Sequence, residues 1–161
     1  MPKGMIENIE GMDIYYETAG TGKSVLLLHG WGCSTETMAP LFNRLKDEFS
    51  VTSIDFPGHG KSSLPEQAIA VGDYARVTRE VITRRGLTGC DVICHSFGGR
   101  ITIKLAAQDS SLFNRLVFTG VAGIRPPRGF TYYRKVYTYK LMKRLSRLGF
   151  VCAIAKLFGV D

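Results

Sequence analysis

Three short blocks hold the residues most able to do chemistry. In Cys94-His95-Ser96-Phe97-Gly98-Gly99 a hydroxyl stands between a short apolar run and a helix-like stretch. A serine hydroxyl is a weak nucleophile until a base takes its proton. A sharp strand-to-helix turn lifts the side chain clear of a sheet so that a base can reach it, at a backbone cost of about 1 to 3 kcal/mol. Such a turn crowds the residues two before and two after the serine. Gly98 fits that demand, Gly99 is expected to permit close helix-to-strand packing, and Cys94 departs from it, because its side chain must find room. His29-Gly30-Trp31-Gly32 follows another apolar run. Acyl transfer places negative charge on the former carbonyl oxygen, and two backbone N–H groups aimed there stabilise it. The expected pair is the N–H of Phe97, just after the serine, with that of Trp31. The third block, Asp55-Phe56-Pro57-Gly58-His59-Gly60-Lys61-Ser62, is a turn-rich loop.

Each residue also has a plainer reading. Serine is a favoured helix cap, and it is the His29 to Gly32 block that lifts Ser96 above that role. His95 adjoins the serine on a turn sharp enough to point it away from the hydroxyl, so packing or hydrogen bonding is expected of it rather than base catalysis. His29 is expected to order its loop. His59 and its turn are read as structural, with a pocket-edge role as the alternative. The Trp31 ring is free to pack wherever its loop carries it.

The elements that must position these blocks follow from periodicity. Met5 to Ile9 and Met12 to Gly20 alternate as two half-exposed strands across Glu10-Gly11. Val25 to Leu28, Val51 to Ile54 and Asp91 to Cys94 are short continuous apolar runs, the pattern of strands covered on both faces of a parallel sheet. Leu116 to Phe118 is the last strand. Between them, Ser34 or Thr35 can cap a helix bearing Met38, Leu41, Phe42 and Leu45; Asp73 can cap a second with Tyr74, Val77, Val81 and Ile82 inside; Ile101, Ile103, Leu105 and Ala106 mark a third. Strands alternating with helices predict an α/β fold, a mostly parallel twisted sheet with helices on both faces. Pro126-Pro127 breaks the pattern, and beyond it Tyr133, Tyr137, Leu141, Leu145 and Leu148 recur at helical spacing among basic groups. The expected division is therefore 1–124 and 125–161, the second part opening with a basic amphipathic helix.

The three blocks, in this order and at this spacing, resemble the α/β-hydrolase family, in the lipase, esterase and carbon-carbon bond hydrolase branch that uses serine. The resemblance implies a core interrupted by a helical cap, of which residues 125–161 are the beginning. It implies Ser96 as nucleophile, Trp31 and Phe97 as oxyanion donors, and His29, Gly30, Gly32, His95, Gly98 and Gly99 as supports. Branches with a nucleophilic aspartate, the epoxide hydrolases and haloalkane dehalogenases among them, are disfavoured by serine at position 96. The family order places the acid and then the histidine after the serine. Here all three histidines, His29, His59 and His95, precede Ser96, and the only later acids are Asp109 and Asp161. Asp109 falls at the far end of a helix about 20 Å long, out of reach. The expectation is a chain truncated before its triad acid and histidine and inactive alone, with a non-catalytic binding or membrane-surface protein as the alternative.

Composition bounds the rest. The 161 residues are 45% apolar and carry a net charge of +7, enough to bury a core. Residues 1 to 124 hold 12 basic and 13 acidic groups, so the whole positive surplus lies beyond them. A near-neutral body lacks the broad basic face of a nucleic-acid binder. The basic tail reads as the solvated face of a cap helix, with an anionic lipid surface as the alternative. Its exposed apolar residues predict self-association. The four cysteines fall at no CxxC spacing, so neither zinc nor a disulfide framework is indicated, and no metal or organic cofactor is implied. The partner expected is a small-molecule substrate. With no signal-like start or apolar span, the expected location is cytoplasmic.

Overall fold

The computed structural model describes residues 3 to 121 and 129 to 145. The chain divides into two compact units, Met1–Gly123 and Ile124–Asp161.

The first unit is built on a six-stranded sheet in the order β1-β2-β4-β3-β5-β6. Strands β1 (Lys3–Ile9) and β2 (Met12–Ala19) form an antiparallel hairpin in which Ile9 pairs with Met12. Glu10 and Gly11 both take positive φ, 52° and 81°, the tight turn whose twist matches the flanking strands. Strands β3 (Ser24–Leu28), β4 (Ser50–Ile54), β5 (Cys90–His95) and β6 (Phe113–Thr119) run parallel. Ile14 and Tyr16 of β2 are buried, and so is Tyr15 between them. The loop after β4 covers it: Ser62 Oγ accepts from its backbone N–H at 2.9 Å, and the Lys61 ammonium lies 4.6 Å above its ring.

Alternation along the central strands divides the core between two layers. Val25 and Leu27 of β3 pack with Met38 and Phe42 of α1 (Thr35–Leu45) on one face. Leu26 and Leu28 pack on the other with Val77, Val81 and Ile82 of α2 (Val71–Arg84) and Ile101 and Leu105 of α3 (Phe97–Gln108). Helix α2 begins two residues before the expected cap. Asp73 lies inside its first turn, and its carboxylate reaches back to the Ala70 N–H at 2.8 Å, satisfying a donor that has no partner within the helix. Ile103 of α3 faces solvent. Asp91 ties the sheet's parallel strands together, accepting from Arg115 and Asn114 at 2.6 Å each, with Lys23 at 3.4 Å. The Arg115 hydrogen bond, above all, holds its carboxyl far below the usual range.

The second unit contains α4 (Phe130–Leu145). Its large apolar side chains do not gather on one stripe. Tyr137 and Leu141 are exposed, and so are Tyr132 and Tyr139, which helical spacing places on the opposite side. The expected amphipathic stripe is replaced by a helix with aromatic and basic groups all round. Leu148 and the Leu145 side chain lie outside the described residues. No helix among the described residues is long and apolar enough to cross a membrane.

Candidate active site

Strand β5 is forced to turn abruptly into α3, and Ser96 takes the strain. Its φ of 46° and ψ of −102° lie where L residues are rarely found. Such a conformation persists only where its surroundings over-determine it. Here the Ser96 N–H donates to Thr119 O at 3.0 Å on the β6 side, and the Gly98 N–H donates to His29 O at 3.1 Å on the β3 side. A side chain at Gly98 would bring its Cβ within 2.6 Å of Leu28 O, so only glycine lets the new helix meet the strand. Gly99 works differently from expectation: the space its missing Cβ leaves is filled by the Val121 side chain, at 2.7 Å. Cys94 finds its room inside the sheet-helix layer, fully buried, with its thiol 3.5 Å from Val117 O. Burial pushes that thiol's pKa up, which disfavours the reactive thiolate. Ser96 itself is half-buried.

The His29 to Gly32 loop lies directly beside this turn. A Cβ built on Gly30 would stand 3.5 Å from Ser96 Cβ and 3.0 Å from His95 Cδ2. His29 is wholly buried, and both of its ring nitrogens are engaged. The Phe56 N–H must donate, so Nε2 accepts from it at 3.0 Å. Nδ1 therefore carries the proton and donates to Gly30 O at 2.7 Å. Burial, the largest influence, lowers the His29 pKa, and the neutral ring joins this loop to the one after β4. Among the described residues neither the Trp31 nor the Phe97 N–H donates to another group of the chain. The Trp31 ring is 65% exposed and packs edge-on against Phe97 and His59, with centroids 5.1 and 5.0 Å away.

His95 projects from the turn on the other side. Its Nδ1 lies 2.9 Å from Thr119 O and 3.2 Å from Thr119 Oγ1, and its ring sits against Gly120. Asp109, at the end of α3, pairs with Arg79 at 3.2 Å, a helix length from the serine.

Sequence reasoning passed over Asp55. It is buried, and its carboxylate accepts from the Thr35 N–H at 2.6 Å and the Lys61 N–H at 2.8 Å. It thereby anchors the start of α1 and the turn after β4. A carboxylate set between an apolar run and a Pro-Gly-x-Gly turn was the available signal, since such turns expose amides that need an acceptor. Thr119 and Gly120 carried no comparable signal.

The family model described as "Alpha/beta hydrolase family" matches residues 25–153. A soluble epoxide hydrolase of Corynebacterium sp. (strain C12) is 32% identical over 108 residues, which are 67% of this chain and 38% of the relative. A pimeloyl-[acyl-carrier protein] methyl ester esterase of Nitrosomonas europaea is 33% identical over 105 residues, 65% of this chain and 39% of the relative. Among solved structures, a bacterial membrane phospholipase A superposes with a TM-score of 0.75 at 26% identity, covering 80% of this chain and 42% of that one. The epoxide hydrolase CorEH does so with 0.69 at 28%, covering 79% and 47%. The chain spans between 27% and 40% of the length of the curated relatives compared with it.

Proposed function

This chain belongs to the alpha/beta hydrolase family, and we propose that it supplies the serine nucleophile and the backbone oxyanion donors of a hydrolase acting on an ester, thioester or related acyl or carbon-carbon bond. The observation that carries this reading is the backbone of Ser96, at φ 46° and ψ −102° beside the Gly30 loop. A binding protein gains nothing from a non-glycine residue held in that conformation.

In the reaction, Ser96 Oγ attacks the carbonyl carbon as its proton passes to a base. The carbonyl electron pair moves to oxygen, where the N–H groups of Trp31 and Phe97 hold the charge. The tetrahedral species expels the leaving group, which takes up the proton, and water hydrolyses the acyl-serine. His29 uses both ring nitrogens in its loop, and the ring nitrogens of His95 and His59 have Thr119 and Pro57, not Ser96, as their partners. We read the acid and the histidine as lying outside these 161 residues, with residues 1–124 as part of the core and 125–161 as the start of a cap. The 161-residue chain alone is then a slow catalyst.

Labelling with a fluorophosphonate tests this. The chain is expected to label slowly, at Ser96 alone by peptide mapping, and faster in proportion to added imidazole, which substitutes for the missing base. Unchanged labelling of Ser96→Ala, or rapid labelling without imidazole, would overturn the assignment.

A further inference from the structure

A cleft of about 600 Å³ opens beside the Gly30 loop, walled by Trp31, Leu64, Ile69 and Tyr74. Its volume lies within the range of small-molecule sites. Ser96 is not part of its lining, yet the cleft adjoins the serine's site through Trp31, whose ring faces the cleft's edge residues and whose backbone N–H belongs to the oxyanion loop.

The part of the wall formed by residues 57 to 63 is set in advance of any ligand. The Gly58 N–H donates to Ser63 O at 2.9 Å, the Ser62 N–H to His59 O at 3.0 Å, and the Ser63 N–H to Asp13 O of the hairpin at 2.8 Å. A preset wall spares a ligand the cost of ordering it. Two exposed apolar side chains line the cleft: Leu64 is 81% exposed and Trp31 65%. The polar groups narrow the choice of ligand. His59 lines the cleft, and its Nδ1 lies 2.9 Å from Pro57 O. A carbonyl only accepts, so Nδ1 holds a proton, and in the singly protonated ring that tautomer leaves Nε2 as an acceptor, for which no partner occurs among the described residues. Glu66 is the one charged group in the lining, and no lysine or arginine joins it. An anion is therefore repelled.

We propose that this cleft is a recognition subsite for the non-reacting arm of the substrate, a neutral aryl or alkyl group bearing a hydrogen-bond donor that His59 Nε2 accepts. The proposal rests on the hydrolase reading for its link to catalysis, but the binding itself does not require the serine.

Trp31 is the only tryptophan in the chain, so its fluorescence reports the cleft directly. The 161-residue chain carrying Ser96→Ala is titrated with benzyl alcohol, benzyl methyl ether and benzoate. Saturable change of Trp31 emission is expected with benzyl alcohol, binding about fivefold weaker with the ether, which lacks the donor, and no saturation with benzoate. His59→Phe keeps the ring but not the acceptor, and is expected to make alcohol and ether equal. Leu64→Arg, at a position that carries little of the fold, is expected to abolish all binding with an unchanged circular dichroism spectrum. Absence of saturation with benzyl alcohol, benzoate binding as tight as the alcohol, or an unaltered alcohol preference in His59→Phe, with Leu64→Arg still binding, would each overturn the proposal. Because Ser96 is already replaced, none of these results bears on the nucleophile, and a failed fluorophosphonate label leaves the cleft standing.

Discussion

The two flanks of the Ser96 turn are built in different ways. On the β3 and β4 side three buried polar side chains bind the loops together: His29 joins Gly30 to Phe56, Asp55 joins Thr35 to Lys61, and Ser62 joins Asp55 O to the Tyr15 N–H. On the β6 side the strand lies at the sheet's edge among the described residues, with Val117 and Phe118 substantially exposed. There the turn is held by little more than Thr119, which receives the Ser96 N–H and the His95 ring and donates its hydroxyl to Cys94 O. The difference teaches that proximity to a strained serine does not free a group for chemistry. The side chains that look most chemical, a histidine and an aspartate, are spent on holding two loops together. What is left uncommitted is the strained serine and a pair of backbone amides.

The contrast breaks most visibly under paired substitutions. Asp55→Ala leaves the Thr35 and Lys61 amides without their acceptor, both beside a carboxylate-sized void. Two charge-assisted hydrogen bonds and buried, unsatisfied donors together predict a loss of about 3 to 5 kcal/mol in urea unfolding. That is a large share of the roughly 5 to 15 kcal/mol of an ordinary domain. Thr119→Val on the opposite flank removes one hydroxyl at an exposed strand end and is expected to cost no more than about 1 kcal/mol. Equal costs on the two flanks would show that the asymmetry has no energetic content.

Acidification sharpens the same comparison, because burial lowers the folded-state pKa of His29. Above the unfolded pKa of about 6.5 the ring is neutral in both states and contributes no pH dependence. As pH falls below that value the unfolded chain binds a proton that the folded chain refuses, so stability drops until the folded pKa is reached. One such group accounts for up to about 1.4 kcal/mol per pH unit. Urea titrations from pH 7 to pH 5 are expected to show this slope in the native chain and a shallower one in His29→Gln. Parallel slopes would mean that His29 is protonated without penalty and that its Nε2 does not accept from Phe56.

Much of this organisation is legible in the sequence wherever it depends on local periodicity. Val25 to Leu28 is apolar without interruption because both faces of β3 are covered, and Glu10-Gly11 marks the hairpin because the turn needs two positive φ angles. What escapes is decided by contacts distant in sequence. Tyr15 is buried by a loop nearly fifty residues away. Gly99 is small to admit Val121, which follows the next strand. The one-sided stripe read into α4 fails because Tyr132 and Tyr139 carry as much apolar surface as the residues counted. In the candidate site, the pattern around Ser96 points to a sharp turn, and a Cβ at Gly98 would meet Leu28 O. The turn that follows Asp55 signals its bond to Lys61, but nothing in its neighbours names Thr35, twenty residues earlier, as its other partner.

The smallest expected effect has the opposite sign from the rest. Ser96 is strained at φ 46° and ψ −102°, and glycine alone enters that region without a steric penalty. Ser96→Gly therefore relieves strain in the folded state while loosening the unfolded chain, two terms that partly cancel. The relief, on the order of 1 to 3 kcal/mol, exceeds the entropic loss of somewhat under 1 kcal/mol, so a net gain of about 1 kcal/mol is expected in urea unfolding. Ser96→Ala removes the same hydroxyl but keeps the Cβ, and no gain is expected from it. A residue that destabilises its own fold and can be improved only by deleting its side chain entirely is held there for something other than stability. If Ser96→Gly proves no more stable than Ser96→Ala, the turn is relaxed and the chief argument for a nucleophile at this position is lost.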